Sequence, residues 1–353
     1  MRRTHFQDLV GLELPIVQGP FGGGISTVDL VAGVSNRGGL GSFGAYLLSG
    51  DDIMALAQRI RAKTNKPFAL NLWISNHDQG GQTISGEEFE RHWRIFEPFY
   101  REYGLERPSP PVRFNQPVER QIEAVLEARP RVFSFVFGIP SADVLAECRR
   151  REIITVGAAT TLAEGLALEQ AGVDVILATG FEAGGHRPAF LARAEDNLIG
   201  TLPLTRSIAA RVGKPVIAGG GLIDADGIRA ALALGAGGAQ LGTAFLACKE
   251  SGTVDAHRDI LFGPRSQQTV LTRAYSGRLA RGIPNRLVRE MEKHNLAPFP
   301  VPVWFLSKLK AAAMARGDED FQLLYAGQGA PLLEHRSVDA LMGALVEGLH
   351  RPI

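Results

Sequence analysis

The sequence predicts an α/β protein built as a (β/α)8 TIM barrel, with an insertion after the third strand and a C-terminal helical and loop extension. Three observations carry that prediction. Eight short apolar runs alternate with amphipathic stretches from the N-terminus to about residue 247. Those runs are near-continuously apolar, as strands buried on both faces are, instead of alternating with polar residues. Strand alternating with helix implies parallel pairing, and eight such units point to closure. A doubly wound open sheet is the alternative, but no dinucleotide-type glycine turn follows the first strand in the form that fold requires.

Taken in order, the strands are "LPIVQG", "LGSFG", "FALNLWI", "VFSFVFG", "EIITVGA", "VDVILATG", "KPVIAGGG" and "GAQLGTAF". Between them lie helical periods: "TVDLVAGVSNRGG", entered through Ser26 or Thr27 as cap, then "DDIMALAQRIRAK", "VERQIEAVLEA", "SADVLAECRR", "TLAEGLALEQAG" and "DADGIRAALALGAG". Two regions break the repeat. Residues 75–116 form a polar and aromatic insertion at the end of the barrel where long loops commonly cover a site. Residues 250–330 carry two basic loops, "TRAYSGRLARGIPN" and "PFPVPVWFLSKLKAAAM". The expected division is a barrel over 1–249 with a lid-like insertion at 75–116, a substrate-side cap over 250–330, and a C-terminal helix over 331–353 on the bottom or side of the barrel.

A formal net charge of +1 gives no electrostatic reason to expect nucleic acid or a membrane surface as partner. No apolar run reaches the ~18 residues that span a bilayer, and the start lacks the apolar core of a secretory signal. Cys148 and Cys248 form neither a metal nor a disulfide pattern, so no metal is expected and the cytoplasm is the default compartment. The oligomeric state stays open, a homodimer included. The unusual feature is glycine, 41 of 353 residues against a typical ~7%. The glycines cluster at the ends of apolar runs, where backbone approaches a ligand.

Five stretches carry candidate chemistry. "PVIAGGGLIDADGI" places Gly220 and Gly221 after the seventh strand, and "GAQLGTAFL" places Gly242 and Thr243 after the eighth. Loops at those two positions often form a phosphate site in such barrels, because glycine lets backbone N–H groups point at phosphate oxygens. Ordinary strand-to-helix turns also favour glycine. Asn71 stands in an otherwise apolar strand, where an unpartnered amide costs about 1–3 kcal/mol. Either the pyrimidine edge of a flavin or a neighbouring loop would satisfy it. Gly19, Pro20 and Phe21 end the first strand in a turn that lays backbone against a ring face or merely leads to the next helix. His186, placed by Gly184 and Gly185 at the mouth of the sixth strand, is the candidate for catalysis.

These motifs, in this order, resemble the nitronate monooxygenase family. "PIVQGPFGGGIST", "VSNRGGLGSFGA", "FALNLW", "SFVFGIP", "GFEAGGHRP", "PVIAGGGLIDADGI", "QLGTAFL", "TRAYSGRLARGI" and "YAGQGAPL" together run over most of the chain. The resemblance implies an FMN-binding oxidoreductase that oxidises an alkyl nitronate, propionate 3-nitronate or a similar anion, with dioxygen to a carbonyl compound and nitrite. It implies Asn71 at the flavin ring, and Gly184, Gly221, Gln240, Leu241, Gly242 and Thr243 around the ribityl phosphate. Gly19, Pro20, Phe21, Thr179, Gly185 and Gly220 complete the cofactor set. His186 is the implied catalytic histidine, with a pKa near working pH, and Glu182 belongs to the loop that positions it. Lys308 or Arg278 is expected to add positive charge near the anion. The chain departs from the pattern at Val136, where many members have histidine, at Thr179, where glutamine is common, and at Phe299, where tyrosine is. All three make the substrate side less polar. An NADH-dependent flavin reductase with a quinone or enoyl-thioester acceptor, and a flavin-free phosphate-binding isomerase or synthase, are the alternative readings.

Overall fold

The computed structural model describes residues 3–74 and 84–351. Eight parallel strands form the barrel: β1 Ile16–Gln18, β2 Gly41–Gly44, β3 Phe68–Trp73, β4 Val132–Val136, β5 Ile154–Ala159, β6 Val175–Thr179, β7 Val216–Gly219 and β8 Gly238–Leu241. Each pairs with its sequence neighbour from β2 through β8, and β8 returns to pair with β1. A parallel bridge between Val17 and Leu40 closes the ring, with the Leu40 carbonyl accepting from Gln18 N–H at 2.9 Å. All eight strands expected from apolar runs are present.

The interior is packed with side chains. Val17, Leu40, Val132, Val156, Leu177 and Ile217 form an inner cluster that Phe6, Val10 and Leu12 seal from below. Phe6 lies on the short helix His5–Val10, which starts with a capping box in which Thr4 and Gln7 exchange bonds. The C-terminal helix Val338–His350 packs on the side of the barrel, with Leu341, Met342 and Leu345 against the helices Val28–Asn36 and Ala225–Ala233.

Two elements differ from the sequence expectation. The stretch "PFPVPVWFLSKLKAAAM" is a 15-residue helix, Val301–Ala315, and not a loop. Its prolines read as loop formers, yet Pro302 occupies the first turn, where a missing N–H costs nothing, and good helix formers follow. The insertion carries a second unannounced helix, Gly86–Glu102, with Phe89, Trp93, Phe96 and Tyr100 on one stripe. These two helices share an aromatic core apart from the barrel: the Phe96 and Phe305 rings stack at 4.7 Å, and Tyr100 Oη donates to the Phe305 carbonyl at 2.9 Å. Residues 75–83 of the proposed lid lie outside the described residues.

Candidate active site

The strand registers bring the C-terminal ends of the strands level on one rim. Asn71 of β3 faces Ser134 of β4, Thr179 of β6 faces Gly219 of β7, and Gly219 faces Gln240 of β8. Above that rim lies a cavity of about 550 Å³, within the roughly 300–1,000 Å³ typical of small-molecule sites. Gly19, Pro20, Phe21, Asn71, Thr179, Gly184, Gly185, His186, Gly220, Gly221, Gln240, Gly242 and Thr243 all line it. Leu241 does not. Its side chain is fully buried in the barrel wall, because the strand alternation that turns Gln240 inward turns Leu241 outward, and only its carbonyl serves the site by accepting from Gly19 N–H at 2.9 Å.

The β7 and β8 loops form a backbone cradle. The N–H groups of Gly220, Gly221, Gly242 and Thr243 find no acceptor among the described residues. A Cβ built on Gly242 would meet no protein atom within 4 Å, so that residue opens onto empty space. Asn71 spends one amide proton on Ser134 Oγ at 3.0 Å and faces the cavity with the rest of its amide.

The "FEAGGHRPAF" segment is pinned at several points. Arg187, buried, donates to the Thr179 carbonyl at 2.7 Å and the Asn197 carbonyl at 2.9 Å. Glu164, fully buried, accepts from Phe190 N–H at 2.6 Å and Leu191 N–H at 3.1 Å. Glu182 turns away from the cavity: its carboxylate accepts from Thr201 N–H at 2.9 Å and Thr201 Oγ at 2.9 Å, tying the loop to the next helix. Between these anchors Gly184 passes so close to the Ala326–Gly327 peptide that a Cβ would lie 2.6 Å from it. Gly185 then adopts φ +80°, which favours glycine. Glu182→Ala is expected to lower stability by about 1–3 kcal/mol through the stranded Thr201 N–H, the Thr201 hydroxyl keeping the Gly220 carbonyl at 2.9 Å as acceptor. A urea midpoint equal to wild type would show that the carboxylate is dispensable.

Gly185 and His186 form a two-residue strand against Ala280 and Arg281. His186 Nε2 lies 2.6 Å from Ser276 Oγ. That hydroxyl already accepts from Arg278 N–H at 3.3 Å and has no other acceptor for its own proton among the described residues. The hydroxyl therefore donates to Nε2, which places the ring proton on Nδ1. Burial, with no carboxylate beside the ring among the described residues, pushes His186 down to about 4. The expectation of a pKa near working pH is thereby corrected: the imidazole is neutral, a hydrogen-bond donor and a weak base.

Aromatic rings wall the opposite side. Tyr46 stacks on Trp73 at 3.8 Å, and the Trp73 ring meets His186 edge-on at 4.9 Å. Phe137 also lines the cavity, in a left-handed backbone conformation (φ +67°) uncommon for a bulky residue and characteristic of constrained sites. Val136 is at the cavity wall, but Phe299 is not; it packs behind Trp73 at 5.0 Å. Of the two expected cations, Arg278 is sandwiched between Phe137 and Phe299, 3.9 and 4.0 Å from the ring centres, where burial lowers it to about 9. Lys308 lies exposed on the outer face of its helix, beside Trp304. The cation that does line the cavity is Lys310, two residues on.

The family model described as nitronate monooxygenase matches residues 3–348. The nitronate monooxygenase of Pseudomonas aeruginosa is 40% identical, over 98% of this chain and 99% of its own. Among solved structures, nitroalkane oxidase from Streptomyces ansochromogenes superposes with a TM-score of 0.89 at 35% identity, over 98% of this chain and 97% of its own. FabK from Thermotoga maritima superposes with a TM-score of 0.75 at 25% identity, over 99% and 96%.

Proposed function

The chain belongs to the nitronate monooxygenase family of flavin-dependent oxidoreductases, and from that premise we propose that it binds FMN and oxidises an alkyl nitronate with dioxygen to a carbonyl compound and nitrite. The residues fit a phosphate-bearing flavin. Orphaned amides at Gly220, Gly221, Gly242 and Thr243 suit the phosphate, the open face of Gly242 leaves it room, and the Asn71 amide suits a pyrimidine edge. Bound there, the flavin supplies an electron acceptor for the nitronate, with dioxygen the final oxidant.

The chain's own residues bind and orient. His186, with its proton on Nδ1, is a donor for a nitronate oxygen, and Ser276 holds that tautomer. Trp73, Tyr46 and Phe137 exclude water from one side, which strengthens any hydrogen bond made to the anion. The histidine, held down to about 4, is a poor base for a C–H proton, which supports the preformed nitronate over the neutral nitroalkane as substrate.

The test is a visible spectrum of the purified protein followed by anaerobic titration. A flavin band bleached by ethylnitronate, far more slowly by nitroethane (roughly 10²-fold or more), and not by NADH, is expected. Bleaching by NADH alone would make the protein a reductase. A colourless protein that takes up no FMN would make it a phosphate-binding barrel of another class.

A further inference from the structure

Lys310 is the only side-chain amine among the described residues that line the cavity, and no cysteine or carboxylate joins it there. It shares the inward stripe of the helix Val301–Ala315 with Val303, Leu306 and Ser307, at helical spacings of seven, four and three residues. Gln322 fixes that turn from behind, its Nε2 donating to the Lys310 carbonyl at 3.3 Å. The Lys310 side chain makes no ion pair and no hydrogen bond among the described residues.

These surroundings favour the neutral amine. Burial lowers the pKa of Lys310. His257 is neutral as well, held down to about 4 by burial first and by Lys310 in part, so it supplies no negative charge. Tyr46 and Tyr325, which also face the cavity, keep their phenol protons, since burial pushes Tyr46 up to about 12 and Tyr325 well above the usual value. A lysine short of water and of a counter-ion regains its lone pair and becomes a nucleophile towards carbonyl compounds. The cavity itself supplies the electrophile. Oxidation of a primary nitronate releases an aldehyde between walls that include Trp73, Leu306 and Leu323.

We propose that Lys310 is a carbonyl-capture site that forms a reversible imine with a small aldehyde, so that the product of turnover occupies the cavity and slows further oxidation. The Nζ lone pair attacks the carbonyl carbon, and a proton passes from nitrogen to oxygen. The resulting carbinolamine then expels water and leaves a C=N bond. Nothing is oxidised or reduced, and hydrolysis returns both partners. That the aldehyde arises in the same cavity rests on the nitronate reading above; the reactivity of the amine does not.

The experiment incubates the purified protein with propanal and sodium cyanoborohydride, whose hydride reduces the imine to a stable propylamine. Each of the seven lysines is followed by peptide mass spectrometry. Lys308, exposed two residues away on the same helix, is the internal reference. Lys310 is propylated roughly 10-fold faster than Lys308, because a lowered pKa raises the share of neutral amine. Oxidation of propyl-1-nitronate falls in step with that label. Lys310→Arg, which keeps the charge and forms no imine, retains its own starting activity through the same treatment. Equal labelling of the two lysines would overturn the proposal, as would full activity in wild type propylated at Lys310, or inactivation of Lys310→Arg at the wild-type rate. A wild type that captures propanal at Lys310 yet oxidises no nitronate would overturn the nitronate reading and leave the capture site standing.

Discussion

Gly242→Val yields a folded protein without flavin. The expectation follows from what surrounds that residue. Its backbone, φ −96° and ψ −77°, is open to an L-residue, and a Cβ there meets no protein atom within 4 Å. Valine is therefore accepted by the fold, and its methyl groups enter the space between the β7 and β8 loops. A phosphate in that space would lose at least two charge-assisted bonds from backbone amides, each worth about 1.5–3 kcal/mol. The combined loss weakens binding by roughly 10² to 10⁴-fold. Gly184 would be a poorer choice, because its Cβ collides with the Ala326–Gly327 peptide and loss of flavin could not be told from loss of fold. The measurements are the visible absorbance per mole of purified protein and the thermal midpoint. A variant that keeps a full complement of flavin would show that the phosphate, and with it the cofactor, sits elsewhere.

The barrel and its rim were legible in the sequence for a common reason. A strand buried on both faces is apolar throughout, so an asparagine such as Asn71, or a run such as Gly219–Gly221, stands out against it. The cap was not legible, because Pro302 and the prolines around it imitate a loop when the helix they begin is unknown. Taking residues 301–315 as a loop also hid Lys310. In "SKLK" the two lysines are equivalent as sequence, and only helical phase sends Lys308 to solvent and Lys310 to the cavity. The anchors of the histidine loop were hidden differently. Glu164 and Phe190 are 26 positions apart and Arg187 reaches back to Thr179 through tertiary structure, so no local pattern announces either contact. The depressed pKa of His186 is likewise a property of its surroundings and not of its neighbours in sequence.

That depressed pKa gives His186→Asn two separable consequences. The first is catalytic. Asparagine is too short to keep the Ser276 bond made by Nε2, and a donor that is no longer fixed in place where an anion is held costs roughly 10²-fold in turnover, while the flavin, held by other residues, remains. Wild-type activity in the variant would take His186 out of the reaction. The second consequence concerns stability in acid. His186 titrates at about 4 in the folded chain and at 6.5 when unfolded, so between those values the unfolded chain binds more protons. Stability then rises with pH in that window and is lost as pH falls from 6.5 towards 4. Asparagine does not titrate. Urea midpoints measured from pH 7 down to pH 4.5 should therefore fall less steeply for His186→Asn than for wild type, with the residual slope coming in part from His257, which burial holds equally low. Parallel slopes would mean that the imidazole is solvated, its pKa ordinary, and its part as a neutral donor untenable.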